Sequence, residues 1–225
     1  MHWKDIEILF EDNHLLVISK PVGVVVQADE TGAPDVLSLL KQRRKVLENK
    51  PGEAYVGLVH RLDRNVGGVM VFAKTSKAAS RLSEQIRKKS MEKRYLCVLE
   101  ACPPEQGILE DFLFKDETTN TSRVVTASHK NAKHCQLEYI RLHCHDQTAL
   151  VKVHLITGRS HQIRVQFASR GWPLWGDGRY GKRRHPQAAI ALWSHQLRFE
   201  HPVSGQPCTF EAWPPRQLPW THFQI

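Results

Sequence analysis

Residues 60–73 read His60-Arg61-Leu62-Asp63-Arg64-Asn65-Val66-Gly67-Gly68-Val69-Met70-Val71-Phe72-Ala73. The last five form an unbroken apolar run, the pattern of a strand covered on both faces. A glycine pair stands directly before it, where backbone without Cβ lets another chain approach closely. Ahead of the glycines a single carboxylate, Asp63, lies between Arg61 and Arg64. Flanking cations hold a carboxylate ionised, the state a nucleophile or base needs. Composition alone favours the plainer reading of a surface salt-bridge cluster, so the segment must be judged with its surroundings.

Toward the N-terminus, Ile6-Glu7-Ile8-Leu9-Phe10 and Leu15-Leu16-Val17-Ile18 flank the turn formers Glu11-Asp12-Asn13, which predicts two short strands. Lys20-Pro21-Val22-Gly23 breaks the second. Asp35 is placed to cap a helix over residues 36–40, and the charged residues 43–54, with Pro51-Gly52, predict an exposed loop. Toward the C-terminus, Ser76 is the expected cap of a helix carrying Ala79, Leu82 and Ile86, with Glu84 four residues before Lys88. Tyr95-Leu96-Cys97-Val98-Leu99 reads as strand, ended by Pro103-Pro104. A strand pair is predicted at residues 136–142 and 149–155, where Ala149, Val151, Val153 and Leu155 share one face. Ser160 then caps a helix to about Ser169, stopped by Gly171 and Pro173. Strands dominate without alternating regularly with helices, which argues against a doubly wound parallel sheet. The expectation is one α+β domain over residues 1–225, with a mixed, largely antiparallel sheet flanked by helices.

Forty-one percent of the 225 residues are hydrophobic, enough for a core and against wholesale disorder. No apolar run approaches the roughly 18 to 20 residues needed to span a bilayer. The start, Met1-His2-Trp3-Lys4-Asp5, lacks a signal-peptide layout, so a cytoplasmic protein is expected. Thirty-two Lys and Arg against 23 Asp and Glu give a net charge of +9, which favours a polyanionic partner. The five cysteines (Cys97, Cys102, Cys135, Cys144 and Cys208) are odd in number and show no CxxC pair, and so read as reduced thiols. His134-Cys135 and His143-Cys144-His145 supply soft metal ligands. On a strand, however, His143 and His145 point one way and Cys144 the other, and no metal site is expected.

A second segment, Thr157-Gly158-Arg159-Ser160-His161-Gln162-Ile163-Arg164-Val165-Gln166-Phe167, sets Arg159 and Ser160 at a predicted helix start, where free N–H groups suit phosphate. His161 and Arg164 share a helical face, while Ile163 and Phe167 face the core. A capped amphipathic helix accounts for the apolar residues but leaves the run of polar groups without a purpose.

These two segments, with Lys93-Arg94-Tyr95, Gly176-Asp177-Gly178-Arg179-Tyr180-Gly181, His195-Gln196-Leu197 and His201-Pro202, closely resemble the RluA-type pseudouridine synthases. Residues 11–23 are similar to the opening strand and Lys-Pro turn of that family, so the likeness covers nearly the whole chain. The resemblance implies isomerisation of uridine in transfer or ribosomal RNA to its carbon-linked form, with no cofactor and no metal. It makes Asp63 the essential carboxylate, acting through a glycal intermediate or by direct attack on the sugar. Tyr95 is expected against the uracil ring, or else packed in the core. Arg164 is the expected ion-pair partner of Asp63, with Arg159 the competing candidate. RNA contacts are implied for His60, Arg61, Arg64, Arg159, His161 and Gln162, Arg61 filling the space left when the target base turns out of its stack.

Lys41-Gln42-Arg43-Arg44-Lys45, Arg87-Lys88-Lys89 and Lys182-Arg183-Arg184 are read either as RNA-facing or as solvated faces. Two departures stand out. Asn65-Val66-Gly67-Gly68 lies where many members carry Thr-Ser-Gly at the last three positions. The match begins within about ten residues of Met1, so the N-terminal RNA-binding domain of many relatives is expected to be missing, and recognition to come from the catalytic domain or a partner. A monomer is expected. The other classes to weigh are a non-catalytic RNA-binding module on the same fold and a base-releasing glycosylase.

Overall fold

A computed structural model describes residues 1–30, 32–49, 51–181 and 189–225. The basic segment Lys182-Arg183-Arg184 therefore lies outside the described residues. The chain divides into two compact units, residues 1–91 with 194–212 and residues 92–193 with 213–225.

In the first unit, β1 (Glu7–Glu11) and β2 (Leu15–Lys20) form an antiparallel hairpin. Its turn is fixed by Asp12, whose Oδ1 accepts the N–H groups of His14 and Leu15 at 2.7 and 2.6 Å. β2 pairs antiparallel with β4 (Gly67–Ala73), in a register that sets Lys20 opposite Gly68. The two-residue β3 (Gly57–Leu58) also pairs with β4. On the far side of β4 runs β10 (Leu192–Glu200), which pairs with β11 (Pro207–Glu211). Residues 15–18 and 69–73 are wholly buried, as the apolar run of β4 predicts.

Two helices complete this unit. α1 (Val36–Leu47) starts at Asp35, whose side chain accepts from Ser38 N at 3.0 Å, as expected. The expected loop from residue 43 is corrected, because α1 runs on to Leu47. Arg43 reaches Glu11 at 2.6 Å, and the buried Arg44 bonds Glu48 and the carbonyls of Tyr55 and Lys74. Those two arginines are tied into the fold and are neither a solvated nor an RNA-facing pair. α2 (Ser76–Arg87) is capped by Thr75, one residue before the expected Ser76, and carries the Glu84–Lys88 pair at 2.9 Å.

The second unit holds β5 (Glu92–Leu99), β6 (Gln106–Asp116), β7 (Thr121–Val125), β8 (Lys133–His145) and β9 (Thr148–Leu155). Their order is β5-β9-β8-β6-β7, each neighbour antiparallel. Ala149, Val151, Val153 and Leu155 do share a buried face, together with Leu137 and Tyr139 of β8. α3 (Gln162–Ala168) contacts β6 and β7, and Phe167 packs its ring edge-on to Tyr139 at 5.4 Å. The helix is shorter than expected. Its N-cap is His161 in the left-handed region (φ 55°), and Ser160 provides no side-chain cap.

Cys102 and Cys144 are disulfide-bonded, with Cα atoms 6.2 Å apart, which corrects the reading of five reduced thiols. The sheet brings together two cysteines that sequence spacing keeps 42 residues apart. Cys97, Cys135 and Cys208 are free, and burial pushes the Cys135 thiol up to about 11. Among the described residues, no group of three or more His, Cys, Asp or Glu side chains is placed to hold a metal ion. Nor is any helix among them long and apolar enough to cross a membrane.

Candidate active site

Asp63 lies in the first unit, on the turn that leads into β4. The turn closes by a bond from Val66 N–H to the Asp63 carbonyl at 3.1 Å. The Arg64 carbonyl accepts twice, from Gly23 N–H at 2.9 Å and from the Lys20 ammonium at 3.1 Å. Lys20 also donates to the Pro21 carbonyl at 2.8 Å. The Lys-Pro turn and the Asp63 turn are thereby stitched to each other.

Lys20 is fully buried. Burial lowers its ammonium to about 8 against an ordinary lysine value of 10.5, while the charge of Asp63 works in the opposite direction. At the far end of the turn Gly68 sits at φ +109°, and a Cβ there would lie 2.1 Å from the Ser194 carbonyl oxygen. The close approach inferred from the glycine pair is real, and it falls on Gly68.

Three basic side chains surround Asp63 in sequence. Arg61 is exposed and makes no hydrogen bond or ion pair among the described residues. Arg64 pairs with Asp29 at 2.8 Å on the surface. The His60 Nε2 accepts the backbone N–H of Val71 at 3.1 Å, which anchors the segment to β4.

In the second unit, Tyr95 lies on β5, only 6% exposed, opposite Val153 of β9. The spacing predicts a shared helical face for His161 and Arg164, but His161 is the N-cap, outside α3, and Arg164 lies within it; both nonetheless converge on Tyr180. His161 Nδ1 is 2.8 Å from the Tyr180 hydroxyl, and the Arg164 guanidinium lies 5.0 Å from the centre of its ring. Ser122 N–H donates to that hydroxyl oxygen at 2.8 Å, so the Tyr180 hydroxyl bridges β7 and His161.

Arg164 also forms a bidentate pair with Asp177, Nε to Oδ2 and Nη2 to Oδ1, both at 2.8 Å. The Asp177 carboxylate is almost wholly buried, and its Oδ1 accepts the N–H groups of Arg179 and Tyr180 as well. Burial raises its pKa, but the bonds and charge of Arg164 with the two N–H groups outweigh that, leaving it below the usual carboxylate range. The result is a guanidinium fixed in direction by one buried acid and one aromatic ring.

Gln162 has a different task from the RNA contact expected of it. It is 2% exposed, and its amide is fully committed within the fold. Its Oε1 accepts from Thr157 Oγ1 at 2.8 Å and Arg159 N at 3.0 Å. Its Nε2 donates to the Gln136 carbonyl and to Gln166 Oε1, both at 3.0 Å. Gln162 thus ties the loop before α3 to β8. Arg159 turns its Nε toward the His134 carbonyl at 2.9 Å and remains at the surface.

The sequence profile described as RNA pseudouridylate synthase matches residues 14–169. The chain belongs to that family. Curated members similar to this synthase include the ribosomal large subunit pseudouridine synthase D of Zymomonas mobilis, 32% identical over 224 residues, covering 95% of this chain and 70% of that protein. Another is ribosomal large subunit pseudouridine synthase C of Yersinia pestis, 35% identical, covering 91% of this chain and 64% of that protein. Among solved structures, human RNA pseudouridylate synthase domain containing 4 superposes with a TM-score of 0.78 at 24% identity, covering 93% of this chain and 89% of that one. That likeness bears on the fold.

Lys20 in the first unit of the synthase, and Asp177 and Tyr180 in the second, carry more of the local geometry than sequence reasoning gave them. A signal existed for two. Lys20 ends a strand that opens with four apolar residues, Leu15-Leu16-Val17-Ile18, and Asp177 is the one acid of a glycine-rich segment.

Proposed function

We propose that the chain isomerises uridine in RNA to pseudouridine, with Asp63 as the essential carboxylate. The turn that carries Asp63 is the observation on which this reading rests. Its backbone is held by Lys20 and Gly23, closed by Val66, and seated by Gly68 against Ser194. A protein that only binds a polyanion gains nothing from a carboxylate carried on so firmly held a turn.

Tyr95 takes the uracil ring, where base stacking is worth about 1 to 3 kcal/mol. Arg164, oriented by Asp177, is the cation this reading assigns to the essential carboxylate. Arg61 and Arg64 flank the carboxylate and meet the RNA backbone or the bases beside the extruded uridine, and Arg159 and His161 take the same duty in the second unit. The reaction needs no cofactor or metal. The substrate is transfer or ribosomal RNA, and the relatives named for the ribosomal large subunit favour ribosomal RNA. The enzyme acts as a cytoplasmic monomer.

Transcripts of ribosomal and transfer RNA carrying tritium at uridine C5 test this directly. Wild type releases tritium and the Asp63→Asn protein does not, while both bind the RNA. Equal release by the two would remove Asp63 from the chemistry. Binding without release by either, on both RNA classes, would favour the non-catalytic module.

A further inference from the structure

We infer that Lys93 is a further catalytic residue, donating a hydrogen bond to the uracil while it carries negative charge between cleavage and reattachment. The inference rests on the reading of Tyr95 as the residue against the uracil ring. Lys93 is two residues before Tyr95 on β5, so alternation puts both side chains on one face of the strand. Its side chain runs toward the loop before α3, where a Cβ on Gly158 would lie 3.7 Å from the Lys93 ammonium nitrogen. Gly158 thus leaves open space beside the ammonium.

Lys93 is 9% exposed, and no hydrogen bond or ion pair reaches it among the described residues. The ammonium nitrogen keeps contact with solvent while most of the side chain is buried, so an incoming group can reach it. Burial alone lowers its pKa, with no neighbouring carboxylate to counter it. Among the described residues the other buried Lys and Arg side chains have partners: Lys20 has two carbonyls, and Arg44 has Glu48 with two more. Lys93 is the exception. An ammonium with no protein partner, on the face of β5 that carries Tyr95, is arranged for an anionic group that arrives with the substrate.

That group is supplied by the reaction. When the C1′–N1 bond breaks, its electron pair leaves with the base and spreads from N1 onto O2 and O4. The base then turns and C5 bonds to C1′, which neutralises the ring; the C5 proton then leaves to water and N1 takes up a proton, giving pseudouridine. Lys93 keeps its own proton throughout. Its ammonium gains a charge-assisted bond to a carbonyl oxygen that exists at full strength only while the base is detached, so it favours the transition state over the ground state. A backbone phosphate is the competing anion. Lys93 is nearly as buried as Tyr95, whereas phosphates belong at an exposed surface such as that of Arg159 in the same unit.

Single-turnover tritium release with saturating RNA, alongside filter binding across a salt series, tests this on wild type, Lys93→Met and Lys93→Arg. The methionine variant removes a buried charge at nearly constant volume, and thermal melts of all three proteins report whether they fold. The expected result is a fall of about 100- to 1,000-fold in the rate for Lys93→Met, the usual cost of losing one positioned donor to a developing anion. RNA affinity and its salt slope stay unchanged, and Lys93→Arg recovers at least tenfold of the loss. A Lys93→Met protein with weakened binding, a salt slope smaller by about one and an unchanged rate would overturn the assignment in favour of a phosphate contact. A rate within twofold of wild type with unchanged binding would overturn it outright. Absence of release by wild type on every RNA would refute the functional reading itself, and the inference with it.

Discussion

Replacing Asp177 by asparagine changes one oxygen to nitrogen in a site where every neighbour is a donor. The carboxylate receives Nε and Nη2 of Arg164 at 2.8 Å each, and the backbone N–H groups of Arg179 and Tyr180 at 3.0 and 3.2 Å. An amide offers one acceptor oxygen, and its NH2 must face either the guanidinium or those N–H groups. No flip resolves the conflict. The carboxylate side chain is 1% exposed and the Arg164 side chain 13%, so the guanidinium is left as a nearly buried charge. Breaking a buried pair from one side costs about 3 to 5 kcal/mol. The Tyr180 ring recovers only about 0.5 to 1 kcal/mol by cation–π attraction. Urea denaturation of Asp177→Asn is therefore expected to show a loss of about 3 kcal/mol or more. Single-turnover tritium release is expected to fall about 100-fold, because a displacement near 1 Å at a reacting site has that scale. A protein within about 1 kcal/mol of wild type, with its rate within twofold, would refute the reasoning that Asp177 sets the direction of Arg164.

Two further outcomes follow from the first unit. Folded Lys20 releases its proton near pH 8, whereas unfolded lysine keeps it to about 10.5, so between these values the unfolded chain binds more protons and stability rises with pH. The unfolding free energy of wild type minus that of Lys20→Met should grow by up to about 3 kcal/mol from pH 7 to 10.5, and a flat difference in denaturation series would contradict the buried, ionised lysine. Arg61→Ala removes an exposed side chain without partners among the described residues, so stability should stay within about 0.5 kcal/mol of wild type. RNA affinity should drop, with a salt slope smaller by about one, and filter binding that matched wild type would remove Arg61 from the RNA surface.

Local features were legible in the sequence. Asp35 as a cap, the shared face of Ala149, Val151, Val153 and Leu155, and the close approach at the glycine pair are each decided within a few residues. What escaped depends on partners far along the chain. α1 continues through Arg43 and Arg44 because Glu11, Tyr55 and Lys74 receive them, and none of these is near in sequence. The start of α3 fell to His161 because its ring is held at the Tyr180 hydroxyl, while Ser160 contributes no cap. Gln162 is an exception in part: Thr157, Arg159 and Gln166 lie within five residues of it, but the Gln136 carbonyl that completes its amide is 26 residues away. Arg164 was legible as an arginine of consequence, but its orientation was not, since Asp177 stands beyond the end of α3.

The central claim is that Asp63 drives isomerisation of uridine within RNA. The most direct measurement digests RNA to nucleosides after incubation with wild type or Asp63→Asn and quantifies uridine, pseudouridine and free uracil together. The account predicts that wild type converts uridine to pseudouridine one for one, without free uracil, and that Asp63→Asn leaves the RNA unchanged. Free uracil with abasic sites would contradict it in favour of a glycosylase, and pseudouridine formed equally by Asp63→Asn would show that the carboxylate at the centre of this account is not the one that reacts.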